Sequence, residues 1–331
     1  MKTINVCPSN LSEGHDSYSR QALNILFSGQ NVSPYLNFSI EKDKQGTLSR
    51  HTNNLSISGA QEKYGAVIEN GTIRLAEEGE QSTHILKPPP QNQALFDRKA
   101  IPANEHLTMQ IATQVYGIKV APNGLCLSKD KLWIYITKRF DIDEHGRKYA
   151  VEDFAAITGR TADTDGDNFK YEGAYEDIAI KIKQLIPAWK VALEKFFSLI
   201  IFNYIFANGD AHLKNFSILK KDGEVLLSPA YDLINTEMHI DDADFALKNG
   251  LSTHIEKSEQ YEYYGHPCKI DFIEFGKQIG LNDKRIQRII NAYMEFPPMV
   301  NNLIANSFLT QEKQKRNYKR IIEQRRLRFI R

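Results

Sequence analysis

Between residues 55 and 140 the apolar positions come in runs of strand length: KYGAVIEN, GTIRLAEE, THILKPPP and GLCLSKDKLWIYITKRF, cut apart by Gly, Asn and Asp. β-branched and aromatic residues bounded by turn formers predict strands. One helix interrupts them. Asn104 to Tyr116 repeats Leu107, Ile111 and Val115 at helical spacing, with Asn104 as N-cap and Gly117 as stop. From about 150 onward the period lengthens, and VEDFAAITG, the region 174–207 broken or bent at Pro187, and several stretches after 270 predict helices. Within them FFSLIIFNYIF (196–206) is almost unbroken apolar sequence, which predicts a helix buried on nearly all sides. Residues 208–265 read as loop-rich. The pattern predicts an α+β, bilobal molecule: an N-terminal extension over 1–54, a small mostly-β lobe over 55–145 and a larger helical lobe over 146–331. The chemistry is expected in the cleft between lobes.

Composition narrows the classes. A chain of 331 residues, 41% hydrophobic and 25% charged, reads as soluble and globular. With a net charge of +1 no global field draws it to nucleic acid or membrane. No run reaches the ~18–20 apolar residues of a bilayer span, and the first residues, MKTINVCPSN, have no apolar signal core, so a cytoplasmic protein is expected. Cys7, Cys126 and Cys268 are far apart with no CxxC, as suits reduced thiols. The nine histidines show no HExxH.

The densest chemistry lies at NGDAHLKNFS (208–217), where Asp210 stands five residues before Asn215 with His212 and Lys214 between them. Phosphoryl transfer of the kinase type needs a carboxylate that takes the proton of the attacking hydroxyl and, nearby, an amide that binds metal; Asp-x-x-x-x-Asn supplies both. Asp232, preceded by Tyr231 in LLSPAYDL, offers the second metal-binding carboxylate. The alternative is a surface turn whose His and Asn bond only to backbone. The loop leaves a buried apolar element, however, which favours a functional reading.

A second constellation lies in LSISGAQEKYGAVIE (55–69). It reads either as an ordinary turn or as a nucleotide-covering loop, in which Gly59 lets backbone approach a phosphate while Gln61 and Lys63 add donors. Lys87 ends the strand of STHILKPPP, and Glu105 lies in the helix that follows. A strand lysine on the α and β phosphates, held by a helix glutamate, is the kinase arrangement. A snorkelling edge lysine and a dipole-matched glutamate are the plainer readings. What joins these residues is their order: loop, strand lysine, helix glutamate, then Asp-x-x-x-x-Asn and a later Asp.

The blocks SISGAQEK, STHILKPP, ANEHLTMQIA, KRFD, VEDFAAITG, NGDAHLKNFSI and PAYDL resemble, in this order, the kinases of HipA-type toxin–antitoxin modules, over roughly residues 55–295. The resemblance implies a protein-kinase-like fold and an ATP- and Mg2+-dependent Ser/Thr kinase. Asp210 would be the catalytic base, Asn215 and Asp232 the magnesium ligands, and Lys87, held by Glu105, the phosphate-binding lysine. Lys138, Arg139, Phe140 and Asp141 would form the hinge against adenine and ribose. Ser56, Ser58, Gly59, Gln61, Lys63, His212, Lys214 and Tyr231 complete the expected nucleotide site. Family members phosphorylate an aminoacyl-tRNA synthetase and so arrest growth, and a helix-turn-helix HipB-like antitoxin carries them to DNA. The other class of reading is a kinase-fold partner of such an antitoxin with little catalysis, acting in repression.

Only 54 residues precede the loop, so the chain is expected to be the short HipT form, in which a separate small HipS-like protein replaces an N-terminal subdomain. Ser56 matches the family's autophosphorylated serine, and Ser58 is a second candidate. Phosphate there adds about −1.5 to −2 charge beside a site meant for ATP's own phosphates, which predicts inhibition. Residues 311–331 carry nine Lys or Arg against two acidic residues, with Tyr318, Ile321, Ile322 and Arg325 at helical spacing. A solvated basic helix face is the default expectation, with a nucleic-acid or acidic partner as the alternative. Asp153 and Tyr171–Glu172 are read as architectural supports.

Overall fold

The computed structural model describes residues 4–39 and 62–331. They divide into two compact units, the first made of the residues up to Ile111 with Val120–Lys148 and Pro298–Lys315, the second of Ala112–Lys119, Tyr149–Pro297 and Arg316–Arg331.

The first unit opens with helix α1 (Arg20–Phe27), started by Ser19, whose side chain accepts from the Ala22 amide, and ended at Ser28 in the left-handed region. Strands β1 (Tyr64–Glu69), β2 (Thr72–Leu75) and β3 (His84–Lys87) follow. After them come helix α2 (Ile101–Gln114) and strands β4 (Asn123–Leu127) and β5 (Trp133–Lys138). The strands form one antiparallel sheet in the order β2-β1-β3-β5-β4. Helix α2 begins three residues before Asn104, the expected cap, because a 3-10 turn over Arg98–Ala100 runs into it. Pro102 suits the first turn of a helix, where its missing N–H costs nothing. Asn104 is instead fully buried.

Period-2 alternation splits this sheet into two faces. Leu86, Ile134 and Ile136 join Ala22, Leu26 and Phe27 of α1 in one apolar core. Lys87 pairs with Tyr135 in the register of β3 and β5, so these two point to the opposite face.

The second unit contains β6 (Ala150–Asp153), α3 (Phe154–Ile157), α4 (Ala162–Asp165), α5 (Tyr175–Leu185) and α6 (Trp189–Ile205). It continues with β7 (Ser217–Lys221), β8 (Glu224–Leu227), α7 (Glu259–Tyr264), α8 (Lys269–Gln278) and α9 (Asp283–Asn291). The expected break near Pro187 is present between α5 and α6, and the FFSLIIFNYIF stretch of α6 is buried around its circumference. VEDF departs from the expectation. Its first residues are strand, and Asp153 caps the short α3 by accepting from the Ala156 amide at 3.0 Å. Strands β6, β7 and β8 form a small antiparallel sheet, with β7 and β8 where loop was expected and their hairpin closed by Asp222–Gly223, both at positive φ.

The chain returns to the first unit in α10 (Pro298–Asn306), after which Phe308 packs on Trp133 with ring centroids 4.5 Å apart. Helix α11 (Glu312–Phe329) follows. Its expected solvated basic face is only partly so. Tyr318, Ile321, Ile322 and Arg325 are buried, and the Arg325 guanidinium pairs with Glu237 and Asp244 of the second unit. The three cysteines are free and buried. Among the described residues no helix is long and apolar enough to cross a membrane.

Candidate active site

In the first unit, sheet register sends Lys87 away from the apolar core, and α2 presents Glu105 to it. Lys87 Nζ donates to Glu105 Oε1 at 2.5 Å and lies 5.1 Å from the Tyr135 ring centroid. Both side chains are almost fully buried, with 4% and 3% of their surface exposed. An ammonium so placed is held by charge and by the aromatic face rather than snorkelling, the plainer reading of the sequence.

The side chains of the segment expected as hinge make contacts within the first unit. Lys138 continues the alternation of Ile134 and Ile136, so its side chain lies on the α1 face, opposite Lys87, where Nζ donates to Ser28 Oγ at 2.7 Å. Burial lowers its pKa. Arg139 and Asp141 spend their charges on each other at 2.5 Å, and Arg139 also donates to Ser82 Oγ. The side chains of Lys138, Arg139 and Asp141 are thus engaged within the protein, and Phe140 is half-buried beside them. Lys63 is half-buried just before β1. Ser56, Ser58, Gly59 and Gln61 lie outside the described residues.

In the second unit, α6 delivers the loop 208–215. The helix ends at Phe206, and Ala207 follows at φ 55°. The Asn208 amide donates to the Asn203 carbonyl at 2.8 Å, and its side-chain Nδ2 donates to Asn203 Oδ1 at 3.1 Å and to the Asp232 carbonyl at 3.3 Å. Asn203, a buried polar residue after the apolar run 199–202, thus ties the loop to the helix end. Thr236 fastens the next residue, accepting from the Gly209 amide at 3.0 Å while donating to the Ala207 carbonyl at 3.0 Å. Gly209 has no alternative, since a Cβ there would stand 2.4 Å from Asp242 Oδ2 and 2.8 Å from the Ala243 carbonyl.

Asp210 is 8% exposed, and the Tyr171 hydroxyl donates to its Oδ1 at 2.7 Å. Burial raises its pKa to about 7; the charges of Asp242 and Asp232 add to the rise, and Tyr171 and Lys170 oppose it. His212 Nε2 lies 3.9 Å from Asp210 Oδ1. Burial, reinforced by the charge of Lys170, lowers the His212 pKa to about 3, so the ring is neutral and is no cation for the loop. A 3-10 turn over Leu213–Asn215 brings Asn215 back, and its Nδ2 donates to the Asp210 carbonyl at 2.9 Å. That bond fixes the amide and leaves Oδ1 directed away from the carbonyl. Lys214 Nζ lies 5.9 Å from the Phe169 ring centroid. The Tyr231 hydroxyl braces the loop from behind, donating to the Lys214 carbonyl at 2.8 Å and sharing a 2.5 Å hydrogen bond with Ser217.

Asp232 follows Tyr231 at φ 57°, a left-handed conformation that costs a residue with a Cβ on the order of 1 kcal/mol. Tyr231 on one side and buried Leu233 and Ile234 on the other hold it there. Magnesium takes hard oxygen donors and keeps part of its shell for phosphate and water. The Asn215 carboxamide oxygen and the Asp232 carboxylate fit that chemistry. Among the described residues no group of three or more His, Cys, Asp or Glu is arranged to hold a metal by itself.

Sequence reasoning missed Lys170 as a neighbour of Asp210 and took Tyr171 as an architectural support. Their signal was the KYEG block, but nothing local links it to a loop 40 residues on. It also missed Asp242, whose Oδ2 is buried behind Gly209 with no hydrogen-bond partner among the described residues.

These features define an α+β protein of kinase-like fold. The chain belongs to the family of the HipA-like C-terminal domain, which matches residues 55–298. It is 28% identical over 329 residues to a Haemophilus influenzae protein named "Putative kinase", covering 92% of this chain and 90% of that one. It is 30% identical over 193 residues to "Putative kinase Y4mE" of Sinorhizobium fredii, spanning 56% of this chain and 44% of the relative. Among solved structures it is similar to HipA of Shewanella oneidensis MR-1, in a complex with HipB and operator DNA, at TM-score 0.64 and 19% identity over 83% of this chain and 65% of that one. The proinflammatory kinase CtkA of Helicobacter pylori matches at TM-score 0.50 and 16% identity over 80% and 90%. These likenesses show the fold.

Proposed function

We propose that this chain is an ATP- and Mg2+-dependent protein Ser/Thr kinase acting as the toxin of a toxin–antitoxin module. The observation that carries the reading is Asp210: a buried carboxyl with a pKa of about 7, oriented by Tyr171, on a loop whose Asn215 is tied to Asp210's own carbonyl. A general base works best with a pKa near the operating pH and a fixed orientation. In this reading the acceptor hydroxyl gives its proton to Asp210, and Lys87, steadied by Glu105, binds the phosphates of ATP. Asn215 and Asp232 would hold magnesium, which neutralises phosphate charge when bound. The substrate is an aminoacyl-tRNA synthetase, whose phosphorylation stops translation. A HipB-like helix-turn-helix antitoxin and a small HipS-like protein are the proposed partners. The antitoxin finds support in the Shewanella complex, where the similar HipA chain is bound together with HipB. Ser56 or Ser58 is the proposed autophosphorylation site, with inhibition as the consequence of the added charge.

The test is thiophosphate labelling in a cell lysate with wild type and Asp210→Ala, followed by identification of the labelled protein. A synthetase labelled by the wild type alone supports the proposal. Equal labelling by both, or none, sinks the enzymatic reading and favours the antitoxin partner that acts in repression without catalysis.

A further inference from the structure

Asp210 has a carboxylate close by: Asp242 packs against Gly209, the residue next to it in the chain. Phosphoryl transfer brings more negative charge to the same place, and a transition state there needs a cation that water does not screen. At the second position after Asp210 the loop carries His212, an imidazole packed edge to face on Tyr171 rather than an ammonium. Lys214 is only half-buried, with its Nζ 5.9 Å from the Phe169 ring centroid.

Lys170 answers the requirement. It lies in a short helical turn over Phe169–Tyr171, is only 9% exposed, and its Nζ stands 4.8 Å from the centroid of the Tyr171 ring. The same ring donates its hydroxyl to Asp210 at 2.7 Å and meets His212 edge to face at 5.2 Å. One aromatic side chain therefore carries the cation on its face and the base on its edge. The charge of Lys170 is felt by both Asp210 and His212, so it is near the loop in energy as well as in position.

We propose that Lys170 is a catalytic residue whose ammonium contacts the phosphoryl group in flight, resting on the kinase reading above. In the step, the acceptor oxygen forms a bond to the γ-phosphorus as its proton passes to the Asp210 carboxylate. The bond from that phosphorus to the bridging oxygen breaks, and the electron pair leaves on ADP. Lys170 gains nothing covalently; it neutralises the equatorial oxygens during transfer. Tyr171 is the positioning residue that holds cation and base together.

The experiment compares wild type, Lys170→Met and Lys170→Arg with ATP, Mg2+ and a phosphorylatable acceptor. Loss of one preorganised donor costs about 10²–10³ in turnover. Lys170→Met is therefore expected to lower kcat about 10²-fold or more and to raise the KM for ATP, and Lys170→Arg to recover part of both. Affinities for ATP and ADP, measured by calorimetry, separate this role from structural compensation of the carboxylates. Contact with the γ-phosphoryl predicts that Lys170→Met loses ATP affinity and keeps ADP affinity. An unchanged kcat, or equal losses for both nucleotides, overturns the proposal. A wild type without ATP-dependent transfer would instead refute the kinase reading, so the two failures are distinct.

Discussion

Replacing the central carboxyl with its uncharged isostere should stabilise the protein while it removes the base. Asp210 titrates at about 7 against an ordinary 3.8, chiefly because it is buried. Between these values the native chain holds a proton that the unfolded chain has released. The unfolded state therefore binds fewer protons, and stability falls as pH rises through the window. At 1.36 kcal/mol per pH unit, the span from 3.8 to about 7 amounts to about 4 kcal/mol lost by pH 8. Asp210→Asn carries no charge at any pH, and its Oδ1 still accepts from the Tyr171 hydroxyl. The variant should thus be more stable than wild type by up to about 4 kcal/mol at pH 8, with the gap closing toward pH 4. Urea unfolding of both proteins from pH 4.5 to 8.5 reads the difference directly. Equal midpoints at pH 8, or a gap that widens on the acid side, would refute the electrostatic account of this carboxyl. The trade is common at functional sites, where chemistry asks for a group that folding would rather not bury.

Two further substitutions probe the supports of the loop. Gly209→Ala puts a methyl against the Asp242 carboxylate and the Ala243 carbonyl, and should cost about 1–3 kcal/mol while displacing Asp210; a urea midpoint and labelling rate equal to wild type would contradict the close approach. Arg325→Met leaves Glu237 and Asp244 without their buried cation, with an expected loss of about 3 kcal/mol, at the low end for a broken buried pair because both acids keep some solvent contact. A midpoint unmoved by that change would show the pairing to be idle.

How much of this was legible depended on distance along the chain. The Asp210–Asn215 spacing and the Lys87 strand could be read because each is local, and hydrophobic periodicity marked the strands of the first unit and the buried α6. The Lys138 side chain could have been assigned to the α1 face by counting two from Ile136, had the register with β3 been known. The β7–β8 hairpin carried its signal in Asp222–Gly223, which a loop-rich reading of the segment overrode. Tyr171, Lys170 and Asp242 were beyond reach, because they meet Asp210 only through tertiary packing. Arg325 was hidden among the basic residues of its helix, since charge count does not distinguish a guanidinium that faces solvent from one that is 1% exposed.

The Arg325–Asp244 pair joins residues 81 positions apart. A ribosome adding about 5–20 residues per second needs roughly 4–16 s to travel that interval. Throughout it, the stretch bearing Asp242 waits without its anchor, and the loop before it waits for its rear wall. The nascent chain therefore completes the anchor of this stretch only when its final helix is made.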